Sequence, residues 1–196
     1  MNLEEFDKQI RELTPPDSRP FLCEGSPLDC EVFIVGNNPG TETPFWDFWE
    51  LPYGCHKDRW LADFWKRHAG ERKPVRTNME IIIAELGDIK YLETNAYAPW
   101  SKWVSDLKGS KLSTVVYEYL LQTIRPRLIF AHGAKSKNFI LDNAEREVEI
   151  EPAKPVPVKL LGFDTSVYIA SKSLMYWSHD ACHAVGKQLR EFLLSK

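Results

Sequence analysis

Asn37 and Asn38 lie in a tight Gly-Asn-Asn-Pro-Gly turn at residues 36–40, directly after the apolar run EVFIV at 31–35. A side-chain amide both donates and accepts hydrogen bonds, so it can orient a water or read the polar edge of a planar ring. The glycines let a ligand approach the backbone closely, and Pro39 stiffens the loop. Further along the chain, polar groups follow three other apolar runs: Asn95 after YLET, His132-Gly133 after LIFA, and Ser171-Lys172-Ser173 after SVYIA. An open parallel sheet gathers its functional groups at the carboxyl ends of its strands. Three asparagines and two serines with no converging carboxylate do not suit two-carboxylate glycosidase chemistry. No Ser-His-Asp order with a nucleophile elbow is present either. An amide-rich site of this kind suits recognition of a heterocycle edge and the holding of one water.

The elements that must position these groups alternate between strand and helix. Residues 3–13 place Phe6, Ile10 and Leu13 on one helical face and stop before Pro15-Pro16. Residues 31–35 form the first strand. An aromatic-rich region follows, with Phe45, Trp49 and Tyr53 in its first part and Trp60, Phe64 and Trp65 at helical spacing. Thr77 followed by Glu80 has the form of a capping box opening a helix that Gly87 closes. Strands are expected at 91–96 and 128–131, and helices at 112–124 and about 136–141. The acidic, proline-rich segment 145–157 is expected as an exposed connection. Residues 159–163 read as a hairpin arm and 166–170 as the final strand. Ser178 caps a closing helix that runs to Leu194. This alternation implies right-handed β-α-β units within one domain over residues 1–196.

The 196 residues suffice for a substantial core, and 43% hydrophobic with 27% charged content is ordinary for a globular chain. No apolar run reaches the roughly 20 residues of a membrane span. The acidic, amphipathic N-terminus is not a secretory signal, so a cytoplasmic location is expected, with no membrane partner. Cys23, Cys30, Cys55 and Cys182 form no C-x-x-C pair and read as reduced thiols. His179 and His183 flank Cys182 without an H-E-x-x-H pattern, so neither metal nor cofactor is expected. The net charge of −3 argues against a protein that coats nucleic acid. Residues 99–137 nevertheless hold seven basic side chains against Asp106 and Glu118, enough for a local phosphate-binding face.

The GNNPG turn resembles the first catalytic motif of the uracil-DNA glycosylase superfamily. It is most similar to the Gly-x-Asn-Pro-Gly form of the mismatch-specific and single-strand-selective branches. ETNAYAP resembles the second-strand segment, PRLIFAHGAKS the third strand and its glycine turn, and IASKSLMYW the position of the His-Pro-Ser motif, with Ser171 where the histidine would stand. The resemblance spans about residues 31–194. It implies a three-layer α/β/α fold around a central four-stranded, mainly parallel sheet. It implies excision of a deaminated base from DNA by base flipping, without a cofactor. Asn38 would orient the attacking water, with Ser171 as the second catalytic position. Asn37 and Asn95 would bind the base, and Phe45, Trp49 or Tyr53 would stack on it. Lys172 and Ser173 would hold DNA phosphate while Leu174 or Met175 fills the vacated stack. The four cysteine spacings do not reproduce the iron–sulfur branches of that superfamily. A monomer is expected.

The serine in place of the motif histidine leaves a second reading open: a catalytically degenerate nucleic-acid- or nucleobase-binding protein on the same fold. A third, a nucleotide-binding protein whose GNNPG loop holds phosphate at a helix N-terminus, lacks the Walker lysine and the G-x-G-x-x-G spacing.

Overall fold

The computed structural model describes residues 1–42, 44–145, 155–170 and 172–195. The chain opens with helix α1 (Leu3–Leu13), started by a reciprocal cap. Asn2 Oδ1 accepts from the Glu5 amide at 2.8 Å, while Glu5 Oε2 accepts from the Asn2 amide at 3.1 Å. Three short strands and one long one follow: β1 (Phe21–Leu22), β2 (Glu24–Gly25), β3 (Val32–Gly36) and β4 (Trp49–Glu50). Next come β5 (Gly54–His56), α2 (Lys57–Arg67), α3 (Pro74–Leu86), β6 (Tyr91–Asn95), α4 (Val115–Ile124) and β7 (Leu128–Ala131). The chain closes with α5 (Ala134–Asn143), the hairpin β8 (Val156–Leu160) and β9 (Phe163–Ile169), and α6 (His179–Leu194).

The fold is α/β, built on a mixed six-stranded sheet of order β1-β6-β3-β7-β9-β8. Four central strands, β6, β3, β7 and β9, run parallel. The expectation of four strands omits the two edges, β1 against β6 and β8 against β9, which are antiparallel. A second small sheet, β2-β5-β4, is antiparallel throughout.

Period-two alternation in β3 explains how the sheet is covered. Phe33 and Val35 point to one face, where residues of α1, α4 and α5 such as Phe6, Ile10, Tyr117, Leu120 and Ile140 pack. Val32 and Ile34 point to the other, where α3 and α6 supply Ile82, Leu86, Cys182 and Leu189. Burying each such aliphatic side chain contributes about 1.5–3 kcal/mol before entropy is counted. Helices α3 and α6 touch closely at Gly186, where an added Cβ would stand 2.7 Å from the Ile82 carbonyl oxygen.

Helix α3 begins earlier than the Thr77–Glu80 pattern suggests. Pro74 sits in its first turn, where its missing N–H costs nothing, and Glu80 is taken by ion pairs with Arg76 and Lys57. Gly87 closes the helix at φ 63°, a backbone angle that favours glycine. Most of the 145–157 connection lies outside the described residues. Among the described residues, no helix is long and apolar enough to cross a membrane.

Connectivity fixes where a cleft opens. From β3 the chain crosses to β6 on one side, and from β7 it proceeds to β9 on the other. Diverging connections leave a crevice outside the carboxyl ends of β3 and β7.

Candidate functional site

A cleft of about 440 Å³ opens at that crevice, within the roughly 300–1,000 Å³ range of ligand pockets. Strand registers set its floor. Gly36 pairs with Asn95, and Val35 with Ala131, so His132 follows beside Gly36. The His132 amide donates to the Val35 carbonyl at 3.0 Å. A Cβ on Gly36 would lie 2.7 Å from Asn95 Oδ1 and 3.2 Å from His132 Cε1. The missing side chain is what lets Asn95 and His132 converge over the end of β3.

The GNNPG turn is laid alongside the segment after β6. The amides of Ala96, Tyr97 and Ser101 donate to the carbonyls of Gly36, Asn37 and Pro39 at 3.0, 3.0 and 2.9 Å. Asn38 completes the seam: its Nδ2 donates to Ser101 O at 2.7 Å and to Pro39 O at 3.0 Å. Two carbonyl partners fix which end of the amide is which. Among the described residues nothing donates to Asn38 Oδ1, so an oriented acceptor is left in a residue that lines the cleft. The Asn95 side chain, also in the lining, makes no hydrogen bond to a described residue.

Asn37, expected to bind the base, also lines the cleft, but its acceptor is engaged elsewhere. Its Oδ1 accepts from the Lys135 amide at 2.8 Å, capping α5 from outside the helix. The cap residue of α5 is Gly133, which has no side chain to do this, and a Cβ there would collide with Asn37 Oδ1. Asn37 is therefore a joint between β3 and α5, with its acceptor engaged.

Beneath the cleft lies a buried ion network. Glu93, two residues before Asn95 on the same face of β6, accepts from Arg76 at 2.6 Å and pairs with Lys57 at 2.7 Å. Arg76 and Lys57 also reach Glu80 at 2.7 and 3.1 Å, and Lys57 Nζ donates to Tyr91 Oη at 2.7 Å. Burial on its own would raise the Glu93 carboxyl, but Arg76 and Lys57 outweigh it and hold the pKa at about 2. The carboxylate is ionised and doubly engaged, so it is no general base. Burial lowers His132 to about 4, with Glu93 offsetting only part of the effect. The imidazole is neutral at pH 7 and offers one N–H donor.

Several expected contacts are corrected by the structure. Phe45 and Trp49 are buried away from the cleft in an aromatic cluster with Phe21, at centroid distances of 4.9 and 5.6 Å. Tyr53 sits in the turn between β4 and β5, stacked on His56 at 4.3 Å and hydrogen-bonded to Glu24. The rings that line the cleft are Phe64 of α2 and Trp103, the latter 62% exposed. Leu174 is fully buried against α3 and cannot act as a wedge; Asn78 Nδ2 donates to its carbonyl at 2.6 Å. Met175, 47% exposed, and Ser173 do line the cleft. Lys172 is exposed, and its carbonyl accepts from Trp177 Nε1 at 3.2 Å. Ser171 lies outside the described residues.

The basic stretch 99–137 does not converge. Arg127 pairs with Glu31 at 2.6 Å near the start of β3, and of the seven only Lys102 lines the cleft. Charge gathers there instead through Arg19, Arg72, Lys73 and Arg76. Sequence reasoning missed Arg19 because β1 is two residues long and shows no periodicity. His132 and Asn95 are visible in the sequence as residues ending apolar runs, but the ion network beneath them is not. Among the described residues, no group of three or more His, Cys, Asp or Glu side chains could hold a metal ion. No protein-family model and no curated protein sequence matches the chain.

Proposed function

We propose that this chain is a DNA glycosylase of the uracil-DNA glycosylase type, on the three-layer α/β/α fold of that superfamily, which hydrolyses the N-glycosidic bond of a deaminated base. The observation that carries this reading is the anchored Asn38 amide, whose Nδ2 is held by two carbonyls while Oδ1 remains an acceptor at the cleft. A water donating to Oδ1 would be aimed at the anomeric carbon of a flipped nucleotide. As its oxygen bonds to that carbon, the C–N bond breaks and the base departs with the electron pair. One water proton passes to the base or to solvent, leaving a free base and an abasic sugar. With no free carboxylate among the described residues of the cleft to take that proton early, the reaction depends on stabilising the departing base.

Asn95 and His132 supply that stabilisation. The unengaged Asn95 amide matches the alternating donor and acceptor edge of a pyrimidine, and neutral His132 donates to the oxygen on which charge grows. Trp103, 62% exposed, offers a face for the base or its neighbour, while Phe64 is itself stacked on Trp60 at 5.2 Å; one such stack is worth about 1–3 kcal/mol.

Buried Leu174 favours a second reading, a catalytically silent nucleobase-binding protein on the same fold. One assay separates the two. End-labelled oligonucleotides containing uracil, hypoxanthine or xanthine, single-stranded and opposite each base, are incubated with the protein and then cleaved with alkali. The glycosylase reading expects breaks at the modified base that Asn38→Ala abolishes. Binding without breaks on any substrate would transfer the assignment to the silent binder.

A further inference from the structure

We infer that the cleft carries an anion subsite centred on Arg19 that takes the phosphate of the nucleotide whose base it holds. This deepens the reading above and rests on it for the base.

Topology explains why Arg19 is there. Because β1 is antiparallel to β6, the chain entering β1 passes the carboxyl end of β6, the edge where Asn95 stands. The Arg19 amide donates to Ala98 O at 3.1 Å, which ties this entry segment to the loop after β6. The side chain lines the cleft, with its guanidinium carbon 4.9 Å from the centre of the buried Trp60 ring. Arg76 lies over the same ring at 5.1 Å.

Charge at the cleft floor is unbalanced. Glu93 and Glu80 are shared between Arg76 and Lys57, and each of those cations reaches both carboxylates. Arg19 is a third cation with no carboxylate left over. Among the described residues it makes no ion pair and no side-chain hydrogen bond. Burial, reinforced by repulsion from Arg76 and only partly offset by Glu93, brings its pKa down to about 9. It remains charged at pH 7, a planar donor fork held by an indole and facing a ligand-sized space.

Arg72 and Lys102, both exposed and without ion pairs among the described residues, extend the positive field to the cleft lining. A chain with net charge −3 thus concentrates surplus positive charge where the amides converge. Guanidinium forks fit tetrahedral oxyanions bidentately, and several neighbouring cations favour phosphate over a single carboxylate. A free nucleotide and a strand both carry such a phosphate; the chemistry at Arg19 is the same.

Calorimetric titration at low salt tests this with deoxyuridine, deoxyuridine 5′- and 3′-monophosphate, inorganic phosphate and a uracil-containing single-stranded oligomer. At least one monophosphate is expected to bind about tenfold or more tighter than deoxyuridine, the range of a charge-assisted hydrogen bond. Arg19→Gln should remove that advantage and leave deoxyuridine affinity unchanged, while Arg19→Lys should restore part of it. If melting shows that Arg19→Gln is unfolded, the exposed pair Arg72→Gln and Lys102→Gln provides the readout, with an expected loss of about threefold or more in the same ratio. An advantage confined to the oligomer and lost in the variants assigns the phosphate to a strand. Equal binding of nucleoside, nucleotides and oligomer, or an advantage that survives Arg19→Gln, overturns the subsite while leaving the base reading intact. Arg19-dependent binding of inorganic phosphate without any deoxyuridine binding does the reverse.

Discussion

The ion network beneath the cleft and the polar groups at its edge differ in how far their bonding capacity is met. Glu93, Arg76, Lys57, Glu80 and Tyr91 are tied to one another at 2.6–3.1 Å. Asn38 Oδ1, the Asn95 amide and the Arg19 guanidinium have no such partners among the described residues. Buried polar groups that satisfy one another belong to the fold, because breaking them strands a charge. Groups left unmet at the edge of a ligand-sized space await something from solution. The same residue types thus divide by partner: Asn37 has given its acceptor to α5, while Asn38 has given only its donor.

The largest expected effect breaks the satisfied set. Glu93→Ala leaves Lys57 and Arg76 buried without their shared carboxylate and should cost about 3–5 kcal/mol in urea unfolding. A loss below about 1 kcal/mol would show that the network does not hold the cleft floor. The native carboxyl is held at about 2, below its ordinary value of 4.5. Its contribution is therefore full above pH 4.5 and is lost as pH falls through about 2.

Next is Leu174→Ala, with about 2–5 kcal/mol lost from the core and nucleoside affinity unchanged. The neighbouring Met175→Ala should alter stability by less than about 0.5 kcal/mol. Equal stability effects in the two variants would contradict the contrast between a core residue and a cleft residue.

Asn38→Ala should slow base release by about 100-fold in a single-turnover assay, comparable to removing one positioned hydrogen-bonding group. Asn38→Asp is more informative. It turns the donor facing Ser101 O and Pro39 O into an acceptor, so it should destabilise the protein by about 1–3 kcal/mol rather than create a faster enzyme. An Asn38→Asp variant that is both stable and faster would mean that the amide is not anchored as described.

His132 gives the smallest effect. Its folded pKa of about 4 lies below the ordinary 6.5, so the unfolded chain binds its proton more readily. Its share of stability is full above pH 6.5 and is lost as pH falls toward 4. Because the ring is partly exposed, the share is at most about 2 kcal/mol. His132→Gln should flatten the pH dependence of melting in that window. No difference from the parent protein there would place the imidazole in water.

Much of this arrangement is legible in the sequence because it depends on local signals. The apolar spacing of residues 3–13 marks α1, LIFA marks β7, and Ser178 caps α6 by accepting from the Ala181 amide at 3.2 Å. Turns after apolar runs locate Asn38, Asn95 and His132 at one edge. What stays hidden depends on partners distant in sequence. Aromatic spacing cannot tell that Phe45 and Trp49 face Phe21 while Phe64 faces the cleft. A two-residue edge strand leaves no pattern to place Arg19. The Thr77–Glu80 spacing imitates a helix start, but Glu80 is claimed by Lys57 from another helix, and Pro74 is the better signal.

Side-chain amide NMR during titration with uracil tests the central claim most directly. The Asn95 amide and the His132 ring resonances should move with a common saturation curve, while the Asn78 amide, buried and donating to the Leu174 and Trp177 carbonyls at 2.6 and 3.0 Å, stays in place. Movement of Asn78 with Asn95 and His132 unmoved, or saturation at none of them with uracil present in large excess, would contradict the division between satisfied groups and a receptive edge.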